Sequence, residues 1–309
     1  MTGDTDNGGE TAYNTSMTSS TAPDAGSRTL WTLLEPIHGV TYFAPEPLAA
    51  LKEAGTRGYW MGYFAQRAAP LGPVGPDVVH ALFFNFSYER VARALPDAWD
   101  RCTPAAALAA RQDGSVAALR RSWDGQVDEA TVERAADLAT RVALAQPVEG
   151  RALAAANRSL PVPDEPVARL WHAATVFREH RGDGHVAALV AAGIGGREAH
   201  VWHALSAGVP RETYTVARDF TDEEWAACRS SLAAKGLVDD GGLTDEGRRL
   251  KQDVEDRTDR LADAGPAALG PGELDELVGV LRPLARAVVR AGDLPLDSPV
   301  GMNLRELRD

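Results

Sequence analysis

The stretch KGLVDDGGLTDEGRRL, Lys235–Leu250, combines several local signals in one short segment. Leu237 and Val238 have the composition of a short strand, and the Asp-Asp-Gly-Gly run after them is typical of a tight turn between antiparallel strands. Leu243 then begins a second short strand, and Thr244 is a residue type that commonly caps the first turn of a helix. The pattern predicts a two-stranded ribbon that leads directly into a charged helix.

Helical segments precede this ribbon. One segment ends at Gly193, a second (REAHVWHALSAG) ends at Gly208, and Pro210 favours the start of another helix. The segment FTDEEWAACRSSLAAKGL follows, in which Thr221 can cap the helix and Glu224 can complete a capping box. The C-terminal half is therefore predicted to contain helices, then a ribbon, then a long charged helix.

This order of elements resembles the MarR-type winged helix over residues 183–263, through the pattern Gly-Leu…Gly-Leu-Thr-x-x-Gly-Arg. More widely, residues 30–300 resemble a helix-turn-helix family of actinobacteria. The stretches GYFAQRAAPLGPVG, ARLWHAATVFREHRGDGHVAAL and GLTDEGRRL carry that second resemblance. Members of the family often lie near antibiotic biosynthesis genes. The two resemblances imply a winged-helix fold, a setting in specialised metabolism, and dimerisation through terminal helices.

An internal repeat extends the fold prediction to the N-terminal half. AALKEAG at 49–55 matches AALVAAG at 187–193, and Trp-x-x-Cys occurs both at 99–102 and at 225–228. We therefore predict a mostly α-helical protein with tandem winged-helix-like (MarR-like) repeats. The predicted fold also has a small two-stranded β-wing and a C-terminal packing or dimerisation helix.

The predicted domain boundaries follow polar and Pro-rich segments. Residues 1–28 are rich in Thr, Ser, Gly and Asp and are predicted to be a disordered tail. The first winged-helix-like repeat, with an aromatic-rich insertion, spans 29–127, and a helical linker spans 128–165. The second, MarR-like repeat spans 166–263, and a C-terminal helix and tail span 264–309. Apolar residues of that last helix share one face, so we expect it to pack across both repeats or to form a homodimer.

The balance of charges argues against tight binding to nucleic acid. The chain has a net charge of −12, and from Thr221 to Leu250 it has seven acidic and four basic side chains. Such a surface is repelled by a phosphate backbone. The exposed face of the predicted recognition helix offers mainly Arg229, Ser230 and Ser231 for reading bases, which is a sparse set. DNA is therefore a partner that the fold implies and that the charge disfavours.

Other features limit the compartment and the cofactors. Cys102 and Cys228 are too few for a disulfide framework, and no run of about 18 apolar residues predicts a membrane span. The N-terminus also lacks the pattern of a signal peptide, so a cytoplasmic location is expected. His200 and His203 lie three residues apart but have no companion ligands in a known metal-binding pattern. No metal and no other cofactor are therefore expected.

Aromatic residues are concentrated in one part of the chain, because eight of the twenty lie within residues 59–88. The stretch TRGYWMGYFAQRAAPLG places four of these rings on a predicted helix between two arginines. An apolar aromatic wall with a few polar groups is the usual lining of a pocket for a planar organic molecule. The same rings would equally serve as the core of the first repeat. The predicted ligand contacts are Arg57, Trp60, Tyr63, Phe64, Arg67, Tyr42, His80, Arg181 and Asp183.

A second polar cluster lies in FREHRGDGHVAAL at 177–189. Its charged side chains would form either an arginine–carboxylate network that joins the two repeats or a ligand site. His180 and His185, with His38 from the first repeat, are the candidate general bases if the protein is an enzyme, because imidazole titrates near neutrality. Two functions follow from these observations. One is a small-molecule-binding protein, such as a ligand-responsive regulator with weak or lost DNA binding. The other is an enzyme acting on an aromatic or polyketide-like substrate between the repeats.

Overall fold

The protein is described by a computed structural model of residues 25–295 and 304–308. The first seven helices are α1 (Ala25–Phe43), α2 (Pro45–Glu53), α3 (Gly58–Ala68), α4 (Pro76–Phe83), α5 (Tyr88–Ala94), α6 (Asp97–Arg101) and α7 (Pro104–Trp123). They are followed by α8 (Glu129–Ala145), α9 (Ala152–Arg158), α10 (Pro166–Ala191), α11 (Gly196–Ala207), α12 (Arg211–Arg218), α13 (Asp222–Ala234), α14 (Asp245–Arg260), α15 (Glu273–Ala291) and α16 (Arg305–Arg308). Strands β1 (Val238–Asp239) and β2 (Gly242–Leu243) lie between α13 and α14.

Five helices form a bundle around the largest hydrophobic core. The bundle consists of α1, α7, α8, α10 and α15, and each contributes fully buried apolar side chains to this core. Representative members, one from each helix, are Leu34, Leu119, Leu138, Trp171 and Leu284. The indole of Trp123 donates a hydrogen bond to the carbonyl of Leu284 at 3.1 Å, which joins α7 to α15. Burial of this much apolar surface is the main source of stability for the fold.

The apolar face of α15 is buried inside the chain. Leu277, Leu281 and Val288 lie in the core of the bundle, where α15 packs against α1, α7 and α8. These three helices belong to the predicted first repeat and linker, so packing across both predicted repeats is not what α15 does. Since this face is covered by the same chain, it is not exposed to a second copy.

Two smaller units flank the bundle, and each has its own core. The aromatic unit, residues 58–101, comprises α3–α6 and packs around Phe64, Phe83 and Phe86. The C-terminal unit, residues 196–260, comprises α11–α14 and the ribbon. It packs around Trp202, Tyr214, Trp225 and Leu232.

The ribbon and its flanking caps agree with the prediction from sequence. β1 and β2 are antiparallel, with Val238 opposite Leu243 and Asp239 opposite Gly242. The hydroxyl of Thr244 accepts a hydrogen bond from the backbone N–H of Gly247 at 3.0 Å and so caps α14. These local signals are strong because turn geometry and capping depend on neighbouring residues only. A mostly helical protein with one small two-stranded sheet is confirmed.

Tandem winged-helix-like repeats are not confirmed, because the described part of the N-terminal half contains no ribbon. Within residues 25–295 and 304–308, strands occur only between Val238 and Leu243. Helix α7 runs without interruption through Asp113-Gly114. A Cβ at Gly114 would lie 2.3 Å from the Cα of Pro47, so this glycine allows α2 to contact α7 closely. It serves helix packing there and does not form a turn.

Two of the predicted boundaries also differ from the structure. Residues 128–165 contain α8 and α9, and α8 is a member of the bundle, because Val132 and Val142 lie in the main core. The prediction of a disordered tail falls on residues 1–24, which lie outside the described residues. The rest of that predicted tail, residues 25–28, forms the first turn of α1, where the buried Ser27 hydroxyl donates to the carbonyl of Asp259 at 3.0 Å.

Candidate ligand-binding cavity

A cavity of about 360 Å³ lies where the bundle, the aromatic unit and the C-terminal unit meet. Helices α1 and α10 line one side, and α3 with the loop between α4 and α5 lines another. The remaining wall comes from α11, α14 and the end of α12. The cavity therefore depends on all three parts of the molecule, and its size is in the usual range for a small organic ligand.

Three arginines of the cavity wall stack on aromatic rings. The pairs, with the distance from guanidinium carbon to ring centroid, are Arg67 and Phe83 at 4.1 Å, Arg218 and Phe86 at 4.6 Å, and Arg181 and Trp31 at 4.5 Å. A guanidinium group over a ring face is held in place by the ring's quadrupole and can still donate hydrogen bonds from its edge. The wall thus offers flat apolar surface and positive charge side by side.

Glu179 is the centre of a buried ion-pair network beside the cavity. Its two carboxylate oxygens accept hydrogen bonds from Arg67 at 3.0 and 3.1 Å, and one also accepts from Arg178 at 2.9 Å. Arg178 also pairs with Glu35 at 3.4 Å. Burial alone would raise the pKa of Glu179, but the charges of Arg178 and Arg67 outweigh it and hold that pKa well below its usual range. The network joins α1, α3 and α10. An arginine–carboxylate network was one of the two alternatives that the sequence left open for residues 177–189.

A second ion-pair cluster joins the bundle to the C-terminal unit. Asp259 on α14 accepts hydrogen bonds from Arg181 at 2.7 Å and from Arg28 at 2.7 Å. One turn earlier on the same helix, Glu255 pairs with Lys251 at 2.8 Å. All the cations of this cluster line the cavity and all are neutralised by a neighbouring carboxylate.

Arg218 differs from every other cation of the wall. It is 8% exposed, no carboxylate among the described residues pairs with it, and its Nε has no hydrogen-bond partner. One terminal nitrogen donates to the carbonyl of Ala217 at 3.0 Å. Burial lowers the pKa of Arg218. Its backbone is fixed, because Arg197 donates to the Arg218 carbonyl at 2.8 Å and Arg90 holds Asp219 at 2.7 Å.

Further polar atoms of the wall are buried and have no partner among the described residues. They are the indole nitrogen of Trp202, Nε2 of His203, Nε of Arg181 and Oε2 of Glu35. Buried polar groups are almost always hydrogen-bonded in folded proteins, so a cluster of exceptions around one cavity needs an explanation. Hydrogen bonds to a polar molecule in the cavity would satisfy them.

The predicted residues His185 and Asp183 both line the cavity. His185 Nδ1 lies 3.0 Å from the hydroxyl of Thr258, which itself donates to the carbonyl of Val254 at 2.7 Å. The Thr258 oxygen must therefore accept from His185 Nδ1–H, which leaves the lone pair on Nε2. Burial lowers the pKa of His185 to about 4 and raises the pKa of Asp183 to about 6.

The other two predicted catalytic histidines do not line the cavity. His180 is fully buried, and its Nε2 donates to the carbonyl of Pro147 at 2.9 Å. His38 is buried between the hydroxyls of Thr175 at 3.0 Å and Tyr42 at 3.1 Å. The three histidines are therefore not brought together at the cavity, because two of them are used to connect elements of the interior.

Four of the predicted ligand contacts line the cavity, and they are Tyr63, Arg67, Arg181 and Asp183. Phe64 and Tyr42 instead lie buried in the core of the aromatic unit, which is the alternative role that the sequence left open.

The remaining three predicted contacts lie elsewhere. Arg57 and Trp60 line a separate groove of about 420 Å³ on the aromatic unit, where Arg90 stacks on Trp60 at 4.1 Å. His80 packs edge-on against Tyr88 with 5.7 Å between ring centroids, and it is not a lining residue of the central cavity.

The face predicted to contact DNA is already occupied by internal pairs. Arg229 donates to the carbonyl of Asp239 at 2.6 Å, and Ser230 and Ser231 are exposed beside it. Arg218 bonds the carbonyl of Ala217, and each other arginine or lysine from Arg197 to Lys251 is bonded to a carboxylate or a carbonyl of another residue. These are Arg197, Arg211, Arg229, Lys235, Arg248, Arg249 and Lys251. Phosphate contacts would have to compete with these bonds.

The described residues provide neither a membrane-spanning helix nor a clustered metal site. None of their helices combines the length and apolar character needed to cross a membrane. The same residues contain no group of three or more His, Cys, Asp or Glu side chains placed to hold a metal ion.

Comparison with known proteins gives one result. A family model described as a helix-turn-helix family matches residues 27–295. No curated protein and no solved structure gives a significant match. The matched range contains the bundle, both flanking units and the entire cavity wall. Since the match covers most of the chain, the protein belongs to this helix-turn-helix family.

Proposed function

We propose that the protein binds a planar aromatic small molecule in the central cavity and that its DNA binding is weak or lost. In this proposal the chain is of winged-helix (MarR-like) ancestry, works in specialised metabolism and, where DNA binding persists, acts as a ligand-responsive regulator. The single observation that carries the proposal is the cavity of about 360 Å³ with three arginine–aromatic stacks in its wall. Such a lining favours flat, polarisable ligands with a few polar substituents.

The position of the cavity supports a regulatory use of the ligand. A molecule there would contact Arg181 and Trp31 of the bundle, Phe83 of the aromatic unit, and Trp202 of the C-terminal unit. A ligand can shift the arrangement of units only through contacts that differ between arrangements. Contacts with all three units provide that difference, and a ligand held by one unit alone would not.

Filling the cavity is expected to weaken the binding of an aromatic probe. In Ala199→Phe a ring replaces the methyl group of a wall residue on α11, while Ala227→Phe makes the same change on the exposed face of α13. We expect the Kd for 2-naphthalenemethanol, measured by quenching of the fluorescence of Trp31 and Trp202, to rise about tenfold or more in the first variant only. Equal quenching of both variants would contradict the proposal, provided both unfold at the wild-type temperature.

Sequence-specific DNA binding is expected to be absent at physiological salt. In gel-shift assays with the DNA upstream of its own gene, we expect no discrete complex at about 150 mM salt and only diffuse retardation at lower salt. The reason is that α13 presents Asp222 and Glu223 at its exposed N-terminal end and that its basic neighbours are already paired. A discrete complex that disappears in Arg229→Ala would show that DNA recognition is retained.

One observation favours a second function, an enzyme acting on an aromatic or polyketide-like substrate. His185 and Asp183 both face the cavity, and burial moves their pKa values to about 4 and about 6. Titratable groups with displaced pKa values in one cavity are typical of acid–base catalysis. In this reading the Nε2 lone pair of His185 is the base, without His38 or His180. Formation of a product from the bound compound would distinguish this function from binding alone.

A further inference from the structure

We infer that Arg218 anchors a negatively charged group of the ligand, so that the ligand class is a planar aromatic anion such as an aromatic carboxylate. The inference rests on the proposed binding function and adds the charge of the ligand and the residue that recognises it. No sequence pattern indicated Arg218 as a ligand contact. It lies in the cavity wall, at the end of α12.

The pairing of charges in the described part of the wall leaves Arg218 without a counterion. The five other lining cations each have a carboxylate oxygen within 3.0 Å, and these cations are Arg28, Arg67, Arg178, Arg181 and Lys251. Arg218 has no such oxygen among the described residues, and it is buried, with only 8% of its surface exposed. A buried guanidinium group without a counterion is unfavourable, because desolvation is not offset by an ion pair. An anion bound from the cavity would supply the missing partner.

The geometry around Arg218 places the anion next to a surface for the ring. The guanidinium lies on the ring of Phe86, and Phe86 packs 5.4 Å from the ring of Tyr63, both in the same wall. Arg67 and Phe83 form the adjacent stacked pair. A carboxylate attached to a flat ring system could therefore bond the edge of the Arg218 guanidinium while the ring lies beside these stacked pairs and Tyr63.

The backbone of Arg218 is held so that its side chain keeps this position. Asp219 follows it in the left-handed region, at φ 53°, and is bound by Arg90 and Arg93 of the aromatic unit. Arg197 bonds the carbonyl of Arg218 from the C-terminal unit. Donors held before the ligand arrives lose little freedom on binding, which is the usual property of a recognition site.

The test compares two probes with the same ring system, the anion 2-naphthoate and the neutral 2-naphthalenemethanol, on the full-length protein. We expect the wild type to bind the anion about tenfold more tightly, which is the effect of one charge-assisted hydrogen bond. Arg218→Met should lose this preference and still bind the alcohol, while Arg218→Lys should keep part of it. Arg229→Met, an arginine outside the cavity, should behave like the wild type.

Each outcome separates the two proposals. Equal binding of both probes to the wild type, or an unchanged preference in Arg218→Met, would overturn the assignment of Arg218 and leave the binding function intact. Failure of both probes to bind the wild type would overturn the proposed function and the anchor with it. Retained binding of the alcohol by Arg218→Met shows that the variant is folded. If Arg218→Met binds neither probe, Arg218→Lys is compared with the wild type. A reduced preference for the anion supports the assignment of Arg218, and an unchanged preference overturns it.

Discussion

Acidification from pH 7 to pH 5 is expected to unfold the protein. Burial lowers the pKa of six of the seven histidines, so these rings are neutral in the folded protein. The pKa falls to about 4 in four of them, His172, His180, His185 and His203. His38 and His200 are shifted further in the same direction. In the unfolded chain the same groups return to an ordinary pKa of about 6.5.

The sign of the effect follows from proton uptake. A histidine whose pKa is lowered by folding stabilises the protein above pH 6.5, and this contribution is lost as the pH falls towards 4. From pH 7 to 5 each of the four histidines is expected to lose roughly 2 kcal/mol of unfolding free energy. Asp183, whose pKa is raised to about 6, acts in the opposite direction over part of this range. The four histidines outnumber Asp183. Their summed loss falls within the 5–15 kcal/mol that stabilises a typical protein.

The measurement is urea unfolding followed by circular dichroism between pH 7.5 and pH 4.5. We expect the unfolding free energy to fall steeply below pH 6.5 and the midpoint of acid unfolding to lie near pH 5. The double variant His185→Gln/His203→Gln removes two of the groups and should reduce the slope by up to two protons. A free energy that stays constant from pH 7 to pH 5 would show that these rings can be protonated inside the folded protein.

The C-terminal unit could be predicted from sequence because its signals are local. Thr221 caps α13, accepting from the backbone N–H of Glu224 at 3.1 Å, and Thr244 caps α14. The turn at Asp240-Gly241 closes the ribbon where the Asp-Asp-Gly-Gly run stands. In each case a residue and its neighbours two or three positions away determine the geometry. The tertiary contacts of this unit do not alter the two helix caps or the turn of the ribbon.

The N-terminal half shows where such reasoning fails. Asp113-Gly114 has the composition of a turn, yet α7 continues through it. The deciding contact is between Gly114 and Pro47, which are distant in sequence. A glycine that permits close helix packing and a glycine that permits a turn cannot be separated without knowing what packs against it.

The candidate site was predictable in part for the same reason. Tyr63 and Arg67 share one helix face in a dense aromatic segment, and both line the cavity. Arg218, Trp31 and Trp202 also line it, but they come from three separated stretches that show no local pattern. Only the folded chain shows that no carboxylate of residues 25–295 and 304–308 pairs with Arg218, because that depends on residues far apart in sequence.

Glu179→Gln is expected to cause the largest loss of stability among single substitutions near the cavity. The carboxylate of Glu179 neutralises both Arg67 and Arg178, and all three side chains are at most 13% exposed. Glutamine has the same shape but no charge, so two guanidinium groups would share only Glu35, which lies 3.4 Å from Arg178. Removing one partner of a buried ion pair typically costs about 3–5 kcal/mol, because the remaining charge is uncompensated.

The exposed pair of Arg134 and Glu276 provides the matched control. Glu276 also accepts two hydrogen bonds from its arginine, at 2.6 Å each, but the side chains are 41% and 43% exposed. Glu276→Gln should therefore cost far less than Glu179→Gln, since solvent screens the charge that remains. Both variants would be compared with the wild type by urea unfolding at pH 7.5. Equal losses would mean that water reaches Arg67 and Arg178, and the network would then not separate the cavity from solvent. A large loss confined to Glu179→Gln would place the neutralised arginines in a dry wall, which is the condition under which the unpaired charge of Arg218 can select an anion.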